Sequence, residues 1–226
     1  MTKRNNATGI LTILILTTLT GAAQSKPKVV FIGDQFTYSR SSAFAANPNW
    51  INEGWSGSVP NNSHLICGAG TSGATAYRFK TDVIDLHPAI VHIMVGVDDA
   101  NVDDAAEEPF TFPTFLISLQ QMIKMAKAAN IQIILGIESP EWSDNGQVEP
   151  MNSIIANYAA QNNIPVINYA DALCSCVGST GGFGNGFNFA TLGSYMSVTP
   201  FGALAPTPAG YALMTQLAEA TINTLV

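Results

Sequence analysis

Acidic side chains supply most of the chemistry this sequence could perform. Asp34 follows an apolar run ending in Gly33, Asp98 and Asp99 follow another ending near Gly96, and Glu138 follows a third, with Asp144 a few residues on. Two carboxyl groups about 5 to 9.5 Å apart across a cleft can cleave a glycoside, one as acid and the other as base or nucleophile. The candidate pairs are Asp34 with Asp98 and Glu138 with Asp144; acids in such loops are otherwise simply solvated. The three histidines, His64, His87 and His92, all precede residue 100. His92 lies within an apolar run, where a hydrogen-bonded core role is expected, and His87 precedes Pro88 in a turn between helix and strand. A general base must reach the reacting proton, and neither is expected to do so. Of three cysteines, Cys67 is far from the close pair Cys174 and Cys176. One bridge and one free thiol is the simplest arithmetic for an oxidising compartment. The Cys-x-Cys pair lacks zinc-site spacing and has no histidine nearby in sequence, so neither a metal nor a cofactor is expected.

The elements that must carry these residues alternate. Apolar runs at 29–32, 90–95, 131–135 and 166–169 read as buried parallel strands. Between them, Ala76, Phe79, Val83 and Leu86 recur at helical spacing, as do Leu116, Leu119, Ile123 and Ala126, then Met151, Ile154, Ile155, Tyr158 and Ala159. Thr207 as N-cap and Pro208 at the first helical position open a final helix through Tyr211, Met214, Leu217, Ala218 and Leu225. The pattern predicts an α/β protein: a three-layer αβα sandwich around a mostly parallel five-stranded sheet, with the fifth strand near residues 64–67. Right-handed crossovers would gather the strands' carboxyl ends, and with them Asp34 and Asp98, on one edge. Segments 47–62, 138–150 and 178–201 are rich in Gly, Pro, Asn or Ser and read as loops. In the last, four glycines alternate with Phe183, Phe187 and Phe189, suiting either a ligand cover or an insertion folded back on the core.

Residues 1–25 form a unit of their own. Lys3 and Arg4 precede an apolar run from Ile10 to Leu19, with Gly21, Ala22 and Ala23 after it. That is the layout of a signal peptide, and the run is shorter than a bilayer span and interrupted by threonines. The expectation is a secreted or periplasmic protein whose single domain covers residues 26–226, with no membrane association once the leader is removed. Loss of Lys3 and Arg4 leaves 7 basic against 16 acidic residues and moves the net charge from −7 to −9, which would repel nucleic acid. Only 11% of residues are charged. The remaining polarity comes from Asn, Ser, Thr and Gly and suits a neutral polysaccharide, acylated sugar or ester as partner.

Four blocks along the chain resemble those of the SGNH (GDSL-type) hydrolases, a family of serine lipases and esterases with a flavodoxin-like fold. Val29-Val30-Phe31-Ile32-Gly33-Asp34 followed by Gln35-Phe36-Thr37 is similar to the first block. Gly70-Thr71-Ser72-Gly73-Ala74-Thr75, entering a helix, is similar to the second, with Gly73 at the oxyanion glycine. Gly96-Val97-Asp98-Asp99 resembles the third, usually Gly-x-Asn-Asp, and Leu204 to Tyr211 resembles the last, where Asp-x-x-His-Pro opens the final helix.

The resemblance implies a serine nucleophile after Gly-Asp, a histidine oriented by an aspartate three residues earlier, and oxyanion donors from the serine amide, the glycine amide and the asparagine. Here Gln35, Asp98, Gly202 and Ala205 occupy the nucleophile, asparagine, acid and histidine positions. An amide side chain is no acyl-transfer nucleophile. Losing one oxyanion donor costs about 3 to 4 kcal/mol, and losing nucleophile or base removes about as much rate as losing the whole triad. The expectation is a pseudoenzyme: the hydrolase fold without the catalytic residues. Asp34, Gln35, Gly73 and Asp98 then form either a polar ligand pocket at the strand ends or a vestige with no ligand.

Overall fold

A computed structural model describes residues 26–40, 44, 46–55, 71–100, 112–138, 148–173, 194–198 and 204–226. The leader, Cys67, Cys174, Cys176, Asp144, Gly202 and the phenylalanine-rich loop all lie outside these residues.

Five parallel strands form one sheet: β1 (Val29–Gly33), β2 (Trp50–Gly54), β3 (Ile90–Met94), β4 (Gln132–Ile137) and β5 (Val166–Asn168), in the order β2-β1-β3-β4-β5. Every residue of β1 and β3 is buried, as expected of strands covered on both faces by helices. The loop reading of 47–62 is corrected: β2 falls at Trp50–Gly54 within it, while residues 64–67, where a strand is expected from sequence, lie outside the described residues. The residues of β2 alternate no apolar side chains and are only half-buried, because β2 is an edge strand registered on β1, with Val29 opposite Trp50 and Gly33 opposite Gly54. An edge strand needs less apolar burial than the central strands that gave the clear signal.

Helices α1 (Gln35–Tyr38), α2 (Ser72–Asp82), α3 (Val97–Ala100), α4 (Phe112–Ala128), α5 (Val148–Asn162), α6 (Tyr169–Leu173) and α7 (Pro208–Asn223) complete the described chain, with a short antiparallel pair β6 (Met196–Val198) and β7 (Leu204–Pro206) before α7. The helical stripes predicted from sequence are buried at Ala76, Phe79, Leu119, Ile123, Ala126, Met151, Ile155 and Ala159. The first stripe does not form one helix: α2 ends at Asp82 and a 3-10 turn over Ile84–Leu86 leads to His87, which adopts a left-handed conformation before Pro88. Asn130 and Asn163, also left-handed, close α4 and α5 and turn the chain into the next strand. α7 starts as the sequence predicts. Thr207 Oγ1 accepts from the Gly210 amide at 3.1 Å, with Pro208 following. A Cβ at Gly210 would strike the Tyr195 carbonyl, so glycine is required where α7 meets the strand pair.

From β1 the chain moves outward to β2 in one direction and to β3, β4 and β5 in the other. The switch point therefore lies between the carboxyl ends of β1 and β3, where open α/β sheets hold their ligands. Asp34 and Gln35 leave one of these ends, and Gly96 to Asp99 leave the other.

Candidate functional site

The site has a buried layer and an open layer. Asp34 and Glu138 are wholly inaccessible to solvent, and Asp99 is nearly so. Each carboxyl ties down the backbone of a loop. Asp34 caps α1, its Oδ1 accepting from the Phe36 amide at 3.0 Å. Glu138 Oε2 accepts from the Val97 amide at 2.6 Å. Asp99 accepts from the Ser72 amide at 2.8 Å and the Ser72 hydroxyl at 2.6 Å, pinning the start of α2 to α3.

The remaining oxygens, Asp34 Oδ2 and Glu138 Oε1, are buried with no N–H or hydroxyl donor, and the two carboxyls bond one another. One proton between them satisfies both. Burial, and then the negative charge of Asp34, holds Glu138 well above the usual carboxylate range, so Glu138 keeps the proton and donates it. Burial also raises Asp34, against the amides and the Glu138 bond that favour its charge. Asp99 is pushed up to about 7, by burial first, with its Ser72 bonds opposing.

Glu138 is itself held in place. The Asn152 side chain of α5 accepts from the Glu138 amide at 3.1 Å and donates to its carbonyl at 2.8 Å. Gly96 stands over it with φ of +146°, a backbone that other residues rarely adopt, and a Cβ there would lie 3.2 Å from Glu138 Oε2. The β1, β3 and β4 exits are thus locked together beneath the surface.

Above this layer lie the positions singled out from sequence. Gln35 begins α1 and is half-buried, Asp98 in α3 is half-buried, and Gly73 in the first turn of α2 is exposed, with nothing within 4 Å of where its Cβ would be. Each is next in sequence to a bonded support: Gln35 adjoins Asp34, Asp98 lies between Val97 and Asp99, and Gly73 follows Ser72. Ala205 is half-buried in β7, two residues before the Thr207 cap.

Among the described residues, one acid from each carboxylate pair proposed from sequence comes together with one from the other. Asp34 meets Glu138, a residue from the other proposed pair, and the contact leaves no room for a sugar between them. Glu138 was read as a loop acid. The available signal was its place directly after six strand residues, five of them buried, where the next side chain also enters the interior.

His92 is the core residue the sequence suggests. Its Nε2 lies 3.0 Å from Tyr169 Oη at the start of α6, and burial followed by the Arg40 charge keeps the ring neutral, well below its ordinary value. The phenol and the imidazole share one buried hydrogen bond, and Arg40 lies against the same tyrosine ring. The Arg40 guanidinium is buried 5.2 Å from each of the Phe31, Phe44 and Tyr169 ring centroids and donates to the Met214 carbonyl at 3.3 Å, fastening α1 to α7. His87 is exposed. Among the described residues no cluster of three metal-ligating side chains is present, and no helix is long and apolar enough to cross a membrane.

Known proteins place this architecture. A GDSL-like lipase from Bacteroides thetaiotaomicron VPI-5482 is 24% identical, with 88% of each chain covered and a TM-score of 0.67. A lipase/acylhydrolase from Enterococcus faecalis is 19% identical over 86% of this chain and 94% of its own, at a TM-score of 0.60. The acetylxylan esterase Axe2 from Geobacillus stearothermophilus, solved as a catalytic mutant, is 16% identical over 87% of this chain and 94% of its own, at 0.61. These likenesses establish the fold. No curated protein sequence matches the chain significantly. The model of the GDSL-like lipase/acylhydrolase family matches residues 31–213, nearly the whole domain from the middle of β1 to the first turns of α7, and the chain belongs to that family.

Proposed function

We propose that this is an exported, non-catalytic member of the family that binds a neutral glycan or acylated sugar at the β1–β3 switch point. The observation that carries the reading is the pairing of a kept support with a changed surface. Asp34, Asp99 and Glu138 hold the β1, β3 and α2 loops by short bonds to backbone amides, while the open layer presents an amide at Gln35 and a carboxyl at Asp98. Those groups can donate to and accept from sugar hydroxyls; neither is an acyl-transfer nucleophile backed by a base. His92 is buried and already bonded to Tyr169, and His87 is an exposed turn residue far along the chain from the C-terminal block. The acidic balance of the chain favours a neutral ligand over an anionic one. Some structural relatives act on acylated sugars by name, including an acetyl-xylooligosaccharide esterase and an acetylxylan esterase.

Calorimetric titration with xylan- and cellulose-derived oligosaccharides and their acetylated forms tests this reading. Heat of binding and a raised melting temperature are expected with at least one neutral sugar, and Gln35→Ala should weaken it. If no sugar produces heat or shifts the melting curve, the binding function is wrong.

A further inference from the structure

The exit of β2 carries a feature that the switch-point site does not use. Trp55, directly after Gly54, is 48% exposed. Its amide donates to the Gly33 carbonyl at 3.0 Å, so it stands beside the strand that leads into Asp34 and Gln35. Neighbouring strands lie about 4.8 Å apart, so the indole is rooted one strand from the open layer.

The ring is fixed from one side. Arg78 of α2 lies with its guanidinium 5.1 Å from the ring centroid. Arg78 is committed elsewhere, donating to the Glu53 carbonyl at 2.7 Å, to Asp82 at 2.7 Å and to the Gly33 carbonyl at 3.1 Å. Its charge is matched by Asp82, and both terminal nitrogens are engaged at the β1 and β2 exits while Nε is buried, so it serves as a rigid backing and not as an anion receptor. An exposed indole held this way loses little rotamer freedom when something stacks on it.

We propose that the solvent-facing side of Trp55 is a stacking platform for one pyranose ring of a neutral oligosaccharide, extending the switch-point site along the β2 edge; this rests on the reading of the chain as a neutral-sugar binder. A pyranose face presents C–H groups of partial positive charge, which the negative face of an indole attracts, and both surfaces are apolar enough to shed water on contact. An anionic sugar gains nothing from Arg78, whose charge is already paired with Asp82.

The test titrates xylohexaose and cellohexaose into the wild-type protein, Trp55→Ala and Trp55→Phe, reading calorimetric affinity, tryptophan emission and melting temperature. The platform predicts affinity weaker by about tenfold in Trp55→Ala, the order of one aromatic contact, with an intermediate loss in Trp55→Phe. It also predicts an emission change on binding that disappears in Trp55→Phe. The phenylalanine variant keeps a ring against Arg78, so it remains informative if the alanine variant folds poorly. Unchanged affinity and an unchanged emission response in Trp55→Phe and Trp55→Ala would overturn the platform while leaving the switch-point reading intact. Failure of the wild type to bind either hexasaccharide would overturn both.

Discussion

Replacing Glu138 with glutamine is expected to make the protein more stable at pH 8 and to flatten the fall in its stability between about pH 5 and 8. Glu138 and Asp34 are both raised by burial, and Asp99 is raised to about 7. A carboxyl raised in the folded state binds its proton there at pH values where the unfolded chain has released it. The stabilising difference is complete below the unfolded values near 4 and is lost as pH climbs through the folded ones, so the native state weakens with rising pH. The groups that set these values are acids, hydroxyls and amides: Asp34 from the β1 exit, Glu138 from the β4 exit, Asp98 and the Val97 amide from α3, and Ser72 from α2.

For Asp99 alone, a rise from 3.8 to about 7 corresponds to about 4 kcal/mol across the window. Glutamine at 138 keeps the acceptor for Val97 and gives Asp34 a permanent donor in place of the proton. It should recover about 1 to 2 kcal/mol at pH 8 relative to pH 5. Glu138→Ala should instead lose about 3 kcal/mol at pH 5, because the Val97 amide is left without its partner and a cavity opens. Urea denaturation at the two pH values measures all of this. A wild-type protein more stable at pH 8 than at pH 5 would remove the shared proton from the account.

The second large effect concerns chemistry. The combined variant Gln35→Ser, Asp98→Asn, Gly202→Asp and Ala205→His is expected to hydrolyse short-chain p-nitrophenyl esters at least about a thousandfold faster than the wild-type chain, while each single change stays near background. The contrast follows from how such groups work: a serine without its base is a weak nucleophile, and a base without a nucleophile has nothing to activate. The scaffold is suited to the change. Gln35 opens α1 at the β1 exit and is partly open to solvent, and Ala205 precedes Pro206 and the Thr207 cap in the short strand pair. Asp98→Asn also removes a negative charge that acts on Glu138. A single Gln35→Ser change that restored full turnover would show that a working base already stands nearby.

Much of this arrangement was legible in the sequence, for physical reasons that also explain what was missed. β1, β3 and β4 are covered on both faces and are mainly apolar, so their runs stand out. β2 lies at the sheet edge and carries Trp, Asn and Glu, so its pairing with β1 left no periodic trace. Asp34, Gln35, Gly73 and Asp98 can be named from sequence because their blocks resemble those of the family, and the structure puts these blocks at strand exits and at a helix start. Glu138 was assigned to solvent because carboxylates usually belong there. What places it inside is a partner more than a hundred residues away, and a shared proton has no signature in a single sequence. Trp55 looked like loop for the same reason as β2: Arg78, which fixes it, comes from a different element.

The most direct measurement is steady-state ester hydrolysis by the purified wild-type protein, with p-nitrophenyl acetate and an acetylated xylo-oligosaccharide as substrates, beside Gln35→Ala and Asp98→Ala. An open layer that binds without turning over predicts a wild-type rate equal to buffer and unaffected by either change. Ester turnover well above buffer that vanishes on altering Gln35 or Asp98 would contradict it.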